Sequence, residues 1–300
     1  MNDAMRQVTN AAARGLRALK RRLVPGLTAR DYALARAYLR WVYDAARLDV
    51  VEDVNGHRIH LDDLDSLRLS VNRTFEPAAT AFVRRAVRAG DVVLDVGANI
   101  GYFSLLLARQ VGEAGCVYAL EPDPTNFALL ERNIAENGYR NVTAMRLAAW
   151  SVSGPLRLFR SEENRGDHRT YQSDAGRKSV DVDAVSVDEY VGAQLPAVDF
   201  VKIDVQGAEY EAILGMRELL ARSPGATLLT ELWPRGLRAA GASAERYLEL
   251  LRDLGFALYE LDARGVPRPA DLARVLAEHT PENDGYADLL CRRGDLPPGA

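Results

Sequence analysis

The run Val92-Val-Leu-Asp-Val-Gly-Ala-Asn-Ile-Gly-Tyr-Phe-Ser104 limits what this chain can fold into more than any other stretch. Val92, Val93, Leu94 and Val96 are apolar and mostly β-branched, the pattern of a buried strand in a parallel sheet. Gly97-Ala-Asn-Ile-Gly101 reads as a tight turn, and Phe103, Leu105, Leu106 and Leu107 begin a helix, with small Ala108 alongside. Strand, glycine turn and helix in succession form the ligand-binding corner of a doubly wound α/β fold. Glycine serves there because it lets the backbone approach a ligand closely. The spacing is Gly-x-x-x-Gly, not the Gly-x-Gly-x-x-Gly of a pyrophosphate site. Asp95 stands just before the turn, where a carboxylate repels pyrophosphate and attracts an amine or sulfonium cation.

The next apolar run, Cys116-Val-Tyr-Ala-Leu120, ends in Glu121-Pro-Asp-Pro124. Glu121 follows Gly101 by about twenty residues, the offset at which a strand-end acid reaches ribose hydroxyls. Either acid alone suits an ordinary solvated strand end. Together, on successive strands with the glycine turn between them, they point to S-adenosylmethionine (SAM).

These residues resemble the FkbM-type methyltransferases. The likeness rests on Asp95 to Ser104, on Glu121 to Pro124 with Asn126, on Glu131-Arg-Asn133 with Asn137-Gly138, and on Val201-Lys-Ile-Asp-Val-Gln-Gly-Ala-Glu209. It spans roughly residues 72 to 260, and the family usually has Glu where this chain has Gln206. The resemblance implies a class I methyltransferase fold: a Rossmann-like doubly wound sheet, mostly parallel, with an antiparallel edge strand. It also implies transfer of a methyl group from SAM to a hydroxyl of a sugar, glycan or natural product. By the same resemblance Glu76, Asp95, Gly97, Asn99, Gly101, Tyr102, Glu121, Pro122 and Asn126 are cofactor contacts.

Composition narrows the alternatives. The chain has 300 residues, 48% apolar and 27% charged, enough for one large domain with an appendage. A net charge of -4 gives no general attraction to nucleic acid, and no Asn/Asp-Pro-Pro-Tyr/Phe motif of amino-methylating nucleic-acid enzymes occurs. Cys116 and Cys291 lie in apolar runs and read as buried thiols of a reducing compartment, with no zinc spacing. No run of eighteen apolar residues occurs, and no apolar core follows the N-terminal charges, so the expectation is a cytoplasmic protein.

Three regions are expected: a helical N-terminal extension with a short hairpin over 1–70, a methyltransferase domain over 71–294, and a loose tail over 295–300. Residues 1–24 read as a basic amphipathic helix, a packing element or a peripheral membrane contact, and 29–48 as a second helix that packs on the core, forms an oligomer contact or covers the substrate mouth. Asn55-Gly56 marks a hairpin. His57 and His60, on opposite faces of its second strand, read as surface residues. Helices are expected over 78–89, 126–136, 210–220 and 243–254, and further strands over 142–147, 156–159, 180–185, 198–205 and 226–232. Phe256–Tyr259 and Leu289–Cys291 read as an antiparallel edge hairpin. Ala149, small and at a strand end, leaves room for a flat adenine.

The acceptor side is expected in the polar loop Ser161 to Tyr171 and at later strand ends. An alcohol acceptor must lose its proton, and histidine titrates near neutrality. His168 is therefore the candidate base, with Asp167 to orient it or act instead. Asp204, Glu209 and Glu231 converge on the carboxyl rim of the sheet, the first two as catalytic candidates. Glu231, Arg169 and Trp233 are candidates for holding the acceptor. The three acids would suit Mg²⁺, yet no spacing demands a metal and none is assigned. An N-methyltransferase and a silent SAM-binding partner subunit remain as alternatives, while the glycine spacing disfavours a nicotinamide oxidoreductase.

Overall fold

In the computed structural model residues 51–173, 176–191, 195–294 and 296 are described. The segments expected to form the two N-terminal helices, and all but residue 296 of the tail, lie outside the described residues. The chain divides into two compact units, Met1–Phe75 and Glu76–Ala300; the sequence had placed the division after residue 70.

In the first unit β1 (Val51–Val54) and β2 (His57–His60) pair antiparallel. Asn55 and Gly56 both take positive φ, 55° and 77°, as a two-residue hairpin turn requires. His57 and His60 are 3% and 4% exposed, which corrects their reading as surface residues. Ile59 and His60 are adjacent and both buried, so alternation along β2 does not separate inside from outside.

The second unit contains β3 (Val92–Val96), β4 (Cys116–Leu120), β5 (Val142–Met145), β6 (Ala148–Ala149), β7 (Gly154–Arg160), β8 (Lys178–Val185), β9 (Phe200–Ile203), β10 (Thr227–Leu232), β11 (Ala257–Leu261), β12 (Pro267–Pro269) and β13 (Ala287–Arg292). Its eight-stranded sheet has the order β12-β11-β13-β10-β9-β3-β4-β5. The five strands from β10 to β5 are mutually parallel, and β13, β11 and β12 pair antiparallel. From β3 the chain winds outward to β4 and β5, then returns to add β9 and β10 on the other side. That reversal at β3 is the switch point beside which such sheets bind ligands. The fold is a class I Rossmann-like doubly wound sheet.

The strands form because their apolar residues are buried on both faces. Leu94, Val96, Leu120, Val201, Ile203, Leu228, Leu232, Leu289 and Cys291 all belong to one core cluster. Helix Pro124–Glu136 starts where Asp123 accepts hydrogen bonds from the backbone N–H groups of Thr125 and Asn126. Helix Ala244–Asp253 is capped in the same way by Ser243.

Two expectations are refined. Phe256–Tyr259 and Leu289–Cys291 do pair antiparallel, as β11 with β13, but not as a simple edge hairpin: β13 inserts between β10 and β11, and β12 lies outside them. The helix expected over 210–220 is two helices, Glu209–Leu214 and Arg217–Ala221. They part at Gly215, where a Cβ would lie 1.9 Å from the Trp150 carbonyl oxygen, so the backbones of 150 and 215 are in contact. The strands at 154–160 and 178–185 do not extend the main sheet but form a separate three-stranded sheet, β6-β8-β7.

Candidate functional site

The glycine turn is shaped by contacts that leave no room for side chains. Gly97 has φ 82°, and a Cβ on it would lie 1.9 Å from the carbonyl oxygen of Asp204. Gly101 has φ 95°, and its Cβ would press on Leu130. Asn99, also left-handed at φ 52°, donates its backbone N–H to Glu121 Oε2 at 2.8 Å. Glu121 Oε1 accepts the Asp123 N–H at 2.9 Å. Glu121 therefore joins the ends of β3 and β4, and burial pushes its pKa up to about 8.

Asp95 is fully buried; one oxygen accepts the Ser104 hydroxyl at 2.6 Å and Oδ1 has no hydrogen bond among the described residues. Asn126 donates Nδ2 to the Arg165 carbonyl, and its Oδ1 is likewise buried without a partner. Unfilled acceptors facing a backbone-lined turn suit a ligand rich in amine and hydroxyl donors. Tyr102 donates to or accepts from Thr80 at 3.0 Å, fastening helix Pro77–Ala86 to the turn. Pro122 lies between the two acids at the end of β4, and Ala149 is buried on β6.

His168 is not placed to act as a base. Its Nδ1 accepts the Ser161 N–H at 3.1 Å, which puts its own hydrogen on Nε2. Nε2 points toward Asp123 at 3.8 Å, on the cofactor side of the loop. Burial lowers its pKa to about 4. A neutral ring with one nitrogen accepting and the other protonated has no lone pair left for an acceptor's proton.

Asp167 is corrected for a related reason. Arg169 Nε donates to its Oδ1 at 2.6 Å, and Arg177 donates to its Oδ2 at 2.6 Å. It clasps two guanidinium groups instead of orienting His168. The clasp carries Arg169 over Trp233, 4.8 Å from the ring centroid, and Trp233 Nε1 donates to Asp284 at 2.8 Å. Two of the three acceptor-side candidates thus meet, one from the loop after β7 and one from the end of β10. Glu209 is fully buried, and its Oε1 accepts the N–H groups of Val205 and Gly207 at 3.1 and 3.2 Å. Through Oε1 it holds the turn that follows Asp204, while its Oε2 is buried with no hydrogen-bond partner among the described residues.

Register assembles the remaining group. Asp95 pairs with Lys202, Lys202 with Leu229, and Glu231 with Asp288. Paired residues share a face, as do residues two apart on a strand. Asp95, Lys202, Asp204, Glu231 and Asp288 therefore all point to one side of the carboxyl rim. A small, open cleft there is lined by Glu76, Lys202, Asp204, Thr230, Glu231 and Asp288 among others. Lys202 donates to Asp204 Oδ2 at 3.3 Å and lies 4.6 Å from the Phe103 ring centroid. Burial alone would lower its pKa, but Asp204, Glu76 and Asp95 hold it above the usual value. Burial and the neighbouring acids raise Glu231 well above the carboxylate range, and burial raises Glu76 to about 8.

The Methyltransferase FkbM domain family matches residues 95–258, more than half of the chain. The chain belongs to the FkbM methyltransferase family.

The methyltransferase sdnD of Sordaria araneosa is 28% identical over 238 residues, 68% of this chain and 82% of that protein. The hexuronic acid methyltransferase AglP of Haloferax volcanii is 32% identical over 180 residues, 59% of this chain and 72% of that one. A solved SAM-dependent O-methyltransferase from Thermotoga maritima is 18% identical with a TM-score of 0.44, over 85% of this chain and 82% of that one. This FkbM methyltransferase is a SAM-dependent enzyme, and its glycine turn, Glu121, and the open acceptors of Asp95 and Asn126 fit that cofactor. Sequence reasoning missed Lys202 and Asp288. The signal for Lys202 was a lone cation inside the apolar run Phe200-Val-Lys-Ile203; nothing local marks Asp288, which is identified only by its partner Glu231.

Proposed function

We propose that this methyltransferase methylates a hydroxyl group of a sugar, glycan or related natural product, with a hexuronic acid unit as the first acceptor to test. The observation that carries the reading is the cleft beside the glycine turn, where buried Lys202 pairs with half-buried Asp204, whose backbone carbonyl packs on Gly97. The name of the Haloferax volcanii relative supports a sugar acid. So does the pairing of Trp233, a flat ring, with the guanidinium of Arg169 at the edge of the acceptor side.

When bound, SAM supplies an electrophilic methyl group: the acceptor oxygen bonds to its carbon as the carbon–sulfur bond breaks and the electron pair stays on sulfur. The protein's contribution is mostly placement. Glu121 and the Gly97–Gly101 turn would hold the adenosyl portion, with Asp95, Asn99 and Asn126 as further contacts. Asp204 takes the hydroxyl proton, and Glu209 keeps the turn that presents Asp204 in one conformation. Arg169, Glu231 and Trp233 line the path of the acceptor. We place the reaction in the cytoplasm; among the described residues no helix is long and apolar enough to cross a membrane.

The acidic lining favours one second reading, an amine acceptor, because four carboxylates face a single ammonium. Incubation with methyl-labelled SAM and paired panels of hexuronic acid glycosides, neutral glycosides and primary amines separates the two. Label in the glycosides supports the proposal, and label only in amines overturns it.

A further inference from the structure

Lys202 is the residue in the second unit that its surroundings explain least. It stands in the central strand β9, where all four residues are buried, and its side chain is 4% exposed. A strand flanked by others on both sides is a costly place for an ammonium group. A charge that only neutralised neighbours would serve as well at the solvent edge of the cleft. Instead the stem runs along the sheet face, and the ammonium reaches the level of Asp204, two residues nearer the rim.

An ammonium carries three N–H donors. Among the described residues Lys202 makes one hydrogen bond, to Asp204 Oδ2, while the Phe103 ring at 4.6 Å covers another side. The rest of the group faces the cleft. Gly97 packs against the backbone carbonyl of Asp204, the lysine's partner. A buried cation with spare donors is thus held by a residue whose own backbone packs on the glycine turn.

We propose that Lys202 is a catalytic residue: it donates a hydrogen bond to the acceptor oxygen, next to the transferred methyl group, while Asp204 receives the hydroxyl proton. This deepens the O-methylation reading and rests on it. The bonds balance simply. The oxygen–methyl bond forms as the methyl–sulfur bond breaks with its pair to sulfur; the oxygen–hydrogen bond breaks and the proton ends on Asp204. Lys202 remains protonated throughout and steadies negative charge as it gathers on the oxygen, the general role of fixed donors in a dry site. Asp204, Glu76 and Asp95, the acids beside it, favour its charged form against the effect of burial, while Glu231 and Asp288 face it across the cleft.

The test compares two cofactor analogues by calorimetry and needs no acceptor. S-adenosylhomocysteine lacks the methyl group; sinefungin carries an amino-bearing carbon in place of the methylated sulfur. In Lys202→Met the affinity for S-adenosylhomocysteine stays within about threefold. Sinefungin tightens about tenfold relative to it, because a like charge beside the methyl position is gone. In Asp204→Asn, which leaves Lys202 in place, sinefungin weakens about tenfold relative to S-adenosylhomocysteine, so the placement is tested even if Lys202→Met fails to fold. A tenfold loss of S-adenosylhomocysteine affinity in Lys202→Met would instead assign the lysine to the cofactor, and an unchanged ratio in Asp204→Asn would remove the pair from the methyl position; either overturns the proposal. With a sugar acceptor in hand, Lys202→Met lowers kcat by about a hundredfold or more at saturating SAM, the scale of losing one such donor. Failure of every sugar to take label overturns the acceptor assignment and leaves the analogue ratios to decide Lys202.

Discussion

Glu121 ties the turn after β3 to the end of β4 through Oε2 and braces its own strand end through Oε1. Glu121→Gln retains one acceptor and gains donors where acceptors are needed. Calorimetry on this variant is expected to show SAM affinity reduced at least tenfold, in line with a charge-assisted hydrogen bond of about 1.5–3 kcal/mol. His168 gives the opposite outcome. It braces the loop after β7 through the Ser161 N–H, so His168→Ala lowers stability by about 1–2 kcal/mol in a denaturant titration. Its turnover at saturating substrates stays within a few-fold of wild type; a hundredfold fall would restore it as the base. The residues of the glycine turn and Glu121 were legible because their meaning is local: a glycine that must turn, and an acid at a strand end. Lys202 and Asp288 were not, because their role exists only once β3, β9, β10 and β13 are in register.

At the level of elements, the acceptor side depends on two segments that meet at Trp233. The ring is fixed by its indole hydrogen bond to Asp284 and by Gly236, where a Cβ would lie 2.0 Å from Trp233 Cε3. Gly236→Ala must therefore push the ring aside. It is expected to raise the acceptor KM severalfold or more while leaving the SAM affinity within about twofold; equal loss of both would place Trp233 with the cofactor. Arg169→Ala, which frees Asp167 from one of its two guanidinium groups, is expected to act in the same direction. The parallel strands could be read from the sequence because continuous apolar runs have few other uses. The insertion of β13 between β10 and β11 could not, since any antiparallel neighbour satisfies the same alternating pattern. The break at Gly215 also lay beyond reach, because its cause is the Trp150 carbonyl, distant in sequence.

Across the whole molecule, burial leaves a set of carboxylates short of solvent and shapes the response to pH. Glu76 and Glu121 are raised from 4.5 to about 8, and Glu209 from 4.5 to about 7. The unfolded chain releases these protons near pH 4.5, while the folded chain keeps them, so stability falls as pH rises toward about 8 and then levels. His168 has the reverse sign. Its pKa is lowered from 6.5 to about 4, so its contribution to stability is lost as pH falls through that window. Thermal unfolding without cofactor is therefore expected to give a Tm that declines from pH 6.5 to 8. Ribose hydroxyls donating to Glu121 favour its ionised form, so SAM binding releases protons over the same range. The rise in Tm on adding SAM is then larger at pH 8 than at pH 6; an equal rise at both would mean that Glu121 does not meet the cofactor.

The most direct measurement is the identity of the methylated atom. Carbon-13 methyl-labelled SAM is turned over with a hexuronic acid glycoside, and the product is assigned by two-dimensional carbon–proton NMR. The account predicts a methyl ether on a sugar hydroxyl. A methyl ester on the carboxylate, an N-methyl signal with an amine acceptor, or SAM binding without transfer to any sugar would contradict it.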